Sequence, residues 1–175
     1  MTTAIEIVQE ELQIDQDTMQ GMYLTFDLAG EGYGLEIRHV TEIIGIQKVT
    51  NIPDMPEHVI GVLNLRGKVI PIIDVRLRFN LTLREYDDRT CIIVVSVNDN
   101  PVGLVVDQVS EVVDIAQDNI EPPPATGKNC GHYIQGLGKI GGKVKILLNV
   151  EALVEEDDLS ENITELEVVQ EIDIA

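Results

Sequence analysis

The sequence predicts an all-β protein made of two similar five-stranded barrels, and three observations carry the prediction. The core has to be aliphatic, since hydrophobic residues are 44% of the 175 but aromatics only 3%, with no Trp. Val and Ile are stiff about χ1 and pack well on a pleated surface, so such a core favours strands. Short apolar runs alternate with Gly-, Pro- and Asn-rich breaks, the punctuation of hairpins. The middle of the chain also repeats itself.

Shifted by 69 residues, Gly34, Leu35, Val40, Glu42 and Ile46 fall on Gly103, Leu104, Val109, Glu111 and Ile115. In the same window Ile37, Ile43 and Ile44 meet Val106, Val112 and Val113, and Thr41 meets Ser110. Shifted by 75, Gly61, Gly67, Lys68, Val69 and Val75 fall on Gly136, Gly142, Lys143, Val144 and Val150. The six extra residues lie in a Pro/Gly loop of the second copy, where insertions are tolerated. A lone copy of roughly 60 residues buries too little of its surface to be stable with margin. Five strands curled into a barrel lose their open edges, and two barrels packed together supply the missing core.

Within the first copy a strand is expected over Met22–Leu28. The turn Gly30-Glu31-Gly32 supplies positive φ, and a second strand follows over 33–37. Further strands are expected at 42–46, 61–65 and 68–75, with Pro53 and Pro56 marking a connection. Pro71, which has no N–H, suggests an edge or bulged position. Residues 80–89 hold five charges and form a polar bridge, after which the order recurs. A strand over 90–97 leads through Asn98-Asp99-Asn100-Pro101 to strands over 102–106 and 111–115. A loop with Pro122, Pro123, Pro124, Gly127 and Gly131 precedes strands over 137–140 and 143–148, and 151–158 look helical. The first barrel is expected over about 22–80 and the second over about 90–150, with an exchange of termini between them left open.

The net charge of −19 belongs to the chain's ends. Residues 1–20 carry five acids and 151–175 carry ten, with no base in either, so 21–150 hold sixteen acids against twelve bases. Residues 1–20 and 156–175 read as acidic tails, either solvated or offering an acidic surface to a basic partner. Such a balance opposes binding to nucleic acid or to an anionic membrane. No stretch approaches the ~20 apolar residues of a spanning helix. The N-terminus (Glu6, Glu10, Glu11) lacks the basic start of a secretory leader, which with the absence of a disulfide framework predicts a cytoplasmic location.

Motifs that carry chemistry are weak. Gly136-Leu137-Gly138-Lys139-Ile140-Gly141 satisfies the dinucleotide pattern, but a strand-like segment follows where a helix is required, so a hairpin turn explains it. His39, His58 and His132 lack the spacing of a zinc site, and Cys91 lies in an apolar run that reads as core. The expectation is a protein without catalytic group, metal or cofactor. Arg66 is the exception of interest: it projects from a tight turn between two strands, and its repeat counterpart is Gly141. A residue present in one copy only is a candidate for function, the alternative being a solvated turn residue.

The run Asn64-Leu65-Arg66-Gly67 with Ile70-Pro71-Ile72-Ile73-Asp74 resembles the most characteristic stretch of the CheW family, the coupling proteins of bacterial chemotaxis. Tyr33-Gly34-Leu35-Glu36-Ile37, Val40-Thr41-Glu42-Ile43, Val105-Val106-Asp107, Val109-Ser110-Glu111-Val112 and Gly136-Leu137-Gly138 support it, so 21–155 resemble a CheW-like domain. The resemblance implies two intertwined SH3-like barrels and a non-enzymatic adaptor at membrane-associated receptor arrays. Its implied partners are the regulatory domain of the histidine kinase CheA and the cytoplasmic tip of methyl-accepting chemoreceptors. By matching position, the resemblance puts Val40, Glu42, Ile43, Arg66, Cys91, Ile92 and Val109 in an inter-barrel groove for the receptor's helical tip. It puts the kinase contact at the barrel ends, with Ile120, Pro122 and Pro123 as candidates. A paralogous adaptor of another array, such as one serving twitching motility, shares these motifs. A free-standing ligand-binding β module is the reading from a different class.

Overall fold

The computed structural model describes residues 20–123 and 133–154. The first copy contributes β1 (Met22–Leu28), β2 (Glu31–Glu36), β3 (Val40–Gly45), β4 (Val59–Leu65), β5 (Lys68–Asp74) and a short helix α1 (Val75–Arg78). The second contributes β6 (Cys91–Val97), β7 (Asn100–Val106), β8 (Gln108–Asp114), β9 (Ile120–Glu121), β10 (Ile134–Ile140), β11 (Lys143–Leu148) and α2 (Val150–Leu153). One sheet has the order β8-β1-β2-β11-β10-β9, the other β3-β6-β7-β5-β4. Under the two repeat shifts, β8-β1-β2-β11-β10 overlie β3-β6-β7-β5-β4 strand for strand. A single bridge between Thr50 and Val62 stands where β9 pairs with β10.

Each barrel therefore takes its first hairpin from one copy and its other strands from the other. The bounds 22–80 and 90–150 therefore mark the two copies, and the exchange left open between the barrels involves the first hairpin of each. The physical reason lies in two parallel pairings, β5 with β7 and β11 with β2. Parallel neighbours cannot be joined by a tight turn, so each closing strand finds its partner in the other copy. The pairings are equivalent: Ile72 faces Gly103, and Leu147 faces Gly34. A Cβ on Gly103 would lie 2.5 Å from the Ile72 Cδ1 and 2.8 Å from the Ile92 Cγ2, and one on Gly34 2.9 Å from the Leu147 Cδ2. Close approach explains why glycine occupies this place in both copies.

The core has three parts. Ile72, Ile92 and Val94 lie in the cluster inside the five-stranded barrel, and Tyr23, Ile115 and Leu147 form the cluster inside the other. The larger cluster, with Leu24, Phe26, Ile43, Cys91, Ile93 and Leu104, lies between the sheets. Strand β6 is buried on both faces, Ile92 and Val94 inward and Cys91, Ile93, Val95 and Val97 between the barrels. Its unbroken apolar run follows from that double burial. Four of the six aromatic side chains, Phe26, Tyr33, Phe79 and Tyr133, stack in series at centroid distances of 5.7, 5.8 and 5.7 Å.

Several local expectations change. The first hairpin turns at Ala29-Gly30 (φ 52° and 82°), and Gly32 lies within β2. Arg66-Gly67, Asn98-Asp99 and Gly141-Gly142 also have both φ positive, as two-residue hairpin turns of the mirror-image type require. Pro71 sits on an interior strand, not an edge, and escapes conflict because the β7 ladder begins only at Ile72. The strand expected over 68–75 stops at Asp74, whose carboxylate accepts from the Arg76 N–H at 2.9 Å and caps α1. Its counterpart Asn149 caps α2, its Oδ1 accepting from the Ala152 N–H at 3.3 Å. Of the helix expected over 151–158, α2 covers the part up to Leu153 and Val154 follows it; residues 155–158, Cys130, residues 1–19 and the C-terminal tail lie outside the described residues.

Because each barrel needs strands from both copies, neither half should fold alone. Chains 1–84 and 85–175 made separately should lack a cooperative urea transition, and mixing them should restore β-type circular dichroism and a single transition. A half that folds by itself would contradict the exchanged topology.

Candidate functional site

Arg66 occupies the first position of the β4–β5 turn with φ 52°, a left-handed conformation for which its counterpart position uses Gly141. Arg has no short polar side chain to ease that conformation, so the site carries backbone strain of about 1 kcal/mol that glycine would avoid. The turn is fixed by Asn64, whose Oδ1 accepts from the Gly67 N–H at 2.9 Å. Strand β3 is bulged between Val40 and Glu42, and the extra residue Thr41 donates its hydroxyl to the Val94 carbonyl at 3.0 Å. A bulge re-aims the side chain beside it. Here Glu42 emerges and accepts a hydrogen bond from the Arg66 Nη2. The Arg66 side chain remains 74% exposed. Beside the pair lies a hollow of about 360 Å³ with Leu65, Ile70, Val94 and Pro101 among its walls. A guanidinium fork held next to an apolar wall suits recognition of a partner surface.

The other residues matched to the receptor groove do not join them. Val40, Ile43, Cys91 and Val109 lie in the core between the sheets, and Ile92 fills the five-stranded barrel. All five are buried, which leaves exposed Arg66 and half-buried Glu42 as the matched residues that reach the surface, with the other five packed behind them. The reason is the double burial of β6 and the inward faces of β3 and β8. Burial pushes the Cys91 thiol up to about 11, against a hydrogen bond from the Val109 backbone that lowers it, and leaves it a neutral core side chain.

Ile120 is half-buried and lines a second, larger hollow of about 850 Å³ at the end of the six-stranded barrel. Tyr23, Glu36, Arg38, Asp114 and Ile115 also border it. Pro122 is exposed and Pro123 half-buried nearby in sequence, while Pro124 lies outside the described residues. Glu36 receives hydrogen bonds from the Arg38 Nε and, at 2.8 Å, from the Gln135 Nε2, with the His39 Nε2 at 3.5 Å. Burial opposes ionisation of Glu36, but these donors and charges prevail and hold its carboxyl below the usual range. Sequence reading missed this cluster, because Gln135 lies 99 residues from Glu36.

A second missed feature ties down the polar bridge. The Arg76 guanidinium makes a two-pronged contact to Asp107, Nε to Oδ1 at 2.8 Å and Nη2 to Oδ2 at 2.6 Å, and donates from Nη1 to the Thr82 carbonyl at 2.9 Å. Asp107 also accepts from the Ala29 N–H at 2.9 Å, in the hairpin turn of the other barrel. Tyr86, in the bridge, donates to buried Asp74 at 2.6 Å. Both Arg76 and Asp107 are 13% exposed. The Asp after Val105-Val106 is the signal that marked the place, though not its partner.

Among the described residues, no group of three or more His, Cys, Asp or Glu is placed to hold a metal ion, and no helix is long and apolar enough to cross a membrane. Comparison with known proteins matches residues 22–158 to the model of the CheW-like domain. The chain is 37% identical over 145 residues to a protein named chemotaxis protein CheW from Klebsiella aerogenes, covering 82% of this chain and 87% of that one. A second protein of that name, from Helicobacter pylori, is 33% identical over 135 residues, 77% of this chain and 82% of its own. Among solved structures, the scaffolding protein TtCheW from Thermoanaerobacter tengcongensis is similar with a TM-score of 0.75 and 35% identity, covering 80% of this chain and 97% of that one.

The strap at Asp107 has a pH signature. Burial opposes its ionisation, but hydrogen bonds from Arg76 and Ala29 and the charges of Arg76 and Arg84 outweigh it and depress its folded-state value. A depressed carboxyl contributes stability above its unfolded pKa of about 4, and that stability is lost as pH falls through the lower folded value. Asp107→Asn should therefore lower urea stability by about 1–3 kcal/mol at neutral pH, with the gap from the native chain closing below about pH 4. A gap that persists unchanged in acid would assign the effect to packing.

Proposed function

The chain belongs to the CheW-like family, and from that premise we propose that it is a non-enzymatic chemotaxis adaptor coupling methyl-accepting receptors to the histidine kinase CheA. The observation that carries the reading is Arg66. It is exposed, ion-paired to Glu42 and held in a strained turn that the duplicate copy builds with glycine. Strain retained at an exposed side chain, beside a hollow with Leu65, Ile70, Val94 and Pro101 among its walls, is what a recognition site would keep and a merely solvated turn would lose. The receptor's helical tip then covers the hollow and takes the guanidinium fork. Val40, Ile43, Cys91, Ile92 and Val109 act from beneath, fixing β3, β6 and β8. The kinase regulatory domain engages the barrel end around Ile120, Pro122 and Pro123, beside the larger hollow. Such an adaptor sits at receptor arrays through its partners and needs no insertion of its own into the membrane.

Binding of purified chain to a receptor signalling fragment and to a CheA regulatory domain tests the two contacts separately. Arg66→Ala should lower receptor affinity by about 30-fold, equivalent to ~2 kcal/mol, and leave kinase binding unchanged. Its urea stability should move by less than about 1 kcal/mol, since the lost ion pair is exposed. Arg66→Gly should lose the same affinity while relaxing the turn. Unchanged receptor affinity in both variants would return Arg66 to a solvated turn residue.

The kinase contact has its own variant. Ile120→Asp should weaken binding to the regulatory domain by about ten-fold or more, with a native circular dichroism spectrum and intact receptor binding. Loss of fold would instead assign Ile120 to the barrel core.

A further inference from the structure

The duplication gives the Arg66 site a counterpart on the six-stranded barrel. Under the two repeat shifts Glu42 falls on Glu111 and Arg66 on Gly141, while the wall residues Ile70, Val94 and Pro101 fall on Lys145, Thr25 and Gly32. The register agrees. Ile72 faces Gly103 as Leu147 faces Gly34, so two residues earlier Ile70 stands beside Pro101 as Lys145 stands beside Gly32.

The backbone frame of the site is retained in the second copy. Strand β8 is bulged opposite Thr25, between the pairs that Leu24 and Phe26 make. The Thr25 hydroxyl holds this bulge, donating to the Glu111 carbonyl at 2.8 Å and accepting from the Glu111 N–H at 3.1 Å. Glu111 is exposed beside it. Gly141 has φ 53°, against 52° at Arg66, and a Cβ there would meet nothing within 4 Å.

The binding chemistry is not retained. Position 141 carries no guanidinium, and Thr25 is fully buried with its hydroxyl spent on backbone. Half-buried Lys145 lies across Gly32, its Cδ and Nζ 2.7 Å from where a Cβ would be. The wall that Ile70 and Pro101 make apolar therefore ends here in an ammonium. An apolar helical face laid over it would strip water from that charge, which is unfavourable unless a carboxylate meets it.

We propose that Lys145 and Gly141 determine the specificity of receptor recognition by silencing the second copy of the Arg66 site, so that the chain takes one receptor tip, on its five-stranded barrel. The proposal rests on the reading of Arg66 as the receptor contact. Because the frame persists, two substitutions suffice to restore the missing site: Gly141→Arg supplies the fork with Glu111 beside it, and Lys145→Ile completes the apolar wall.

Calorimetric titration of the full-length chain with a receptor signalling fragment counts the sites. The native chain should take one fragment. The variant with Gly141→Arg and Lys145→Ile should take two, the second with a Kd within about ten-fold of the first. Adding Arg66→Ala to that pair should return the count to one and hold affinity within about ten-fold of native, where Arg66→Ala alone loses about 30-fold. Gly141→Arg alone should stay at one, because the ammonium remains. Lys145→Met replaces Lys145→Ile if the paired variant does not fold, since it keeps the length of the stem without the charge. A folded paired variant that takes one fragment and does not rescue Arg66→Ala would overturn the proposal while leaving Arg66 as the receptor contact. Two fragments on the native chain would overturn it too, and a second fragment on Gly141→Arg alone would strike Lys145 from it. Arg66→Ala without effect in the native background would instead remove the reading beneath it.

Discussion

The parallel pairing of β5 with β7, and of β11 with β2, is the constraint from which the rest of the molecule follows. Two glycines let these strands approach, Gly103 under Ile72 and Gly34 under Leu147. Once each closing strand is committed to the hairpin of the other copy, neither copy can be a domain. The two barrels become equivalent in order and inseparable in sequence. The same commitment places β6 between two apolar clusters and brings the Ala29 turn of one barrel against Asp107 of the other.

That arrangement decides which side chains are left for recognition. Strands of the two first hairpins spend one face on a barrel interior and the other on the core between barrels. Side chains that a position-by-position match lays along a groove are thereby withdrawn, Cys91 and Ile92 to opposite faces of one strand. What remains outside comes from the irregular places, a bulge at Thr41 and a turn at Arg66. Binding surface on an all-β scaffold of this kind is made at the interruptions of its ladders.

Strand existence was legible because aliphatic periodicity and Gly punctuation are local signals, and duplication was legible because two ungapped blocks recur in order. The exchange of strands was not. Two copies with matching sequences satisfy the same pairing rules whether a hairpin stays with its own copy or crosses to the other, and Gly34 and Gly103, equivalent in the two copies, fit both arrangements. Glu42 and Arg66 could be paired in advance because the family resemblance put both in one groove, where opposite charges attract. Arg76 with Asp107, and Glu36 with Gln135, could not, since their partners are 31 and 99 residues distant and each was read within its own strand. Asp74 illustrates a smaller loss: its capping role ends a strand that apolar pattern alone extends by one residue.

The crossing of hairpins also sets a schedule for the chain's synthesis. Strand β5 ends at Asp74, but β2, made earlier, has no closing partner until β11 ends at Leu148. At roughly 5–20 residues per second on a ribosome, the first half waits on the order of 4–15 s with its apolar strands unsatisfied. Pairings so distant in sequence are slow to form even after release.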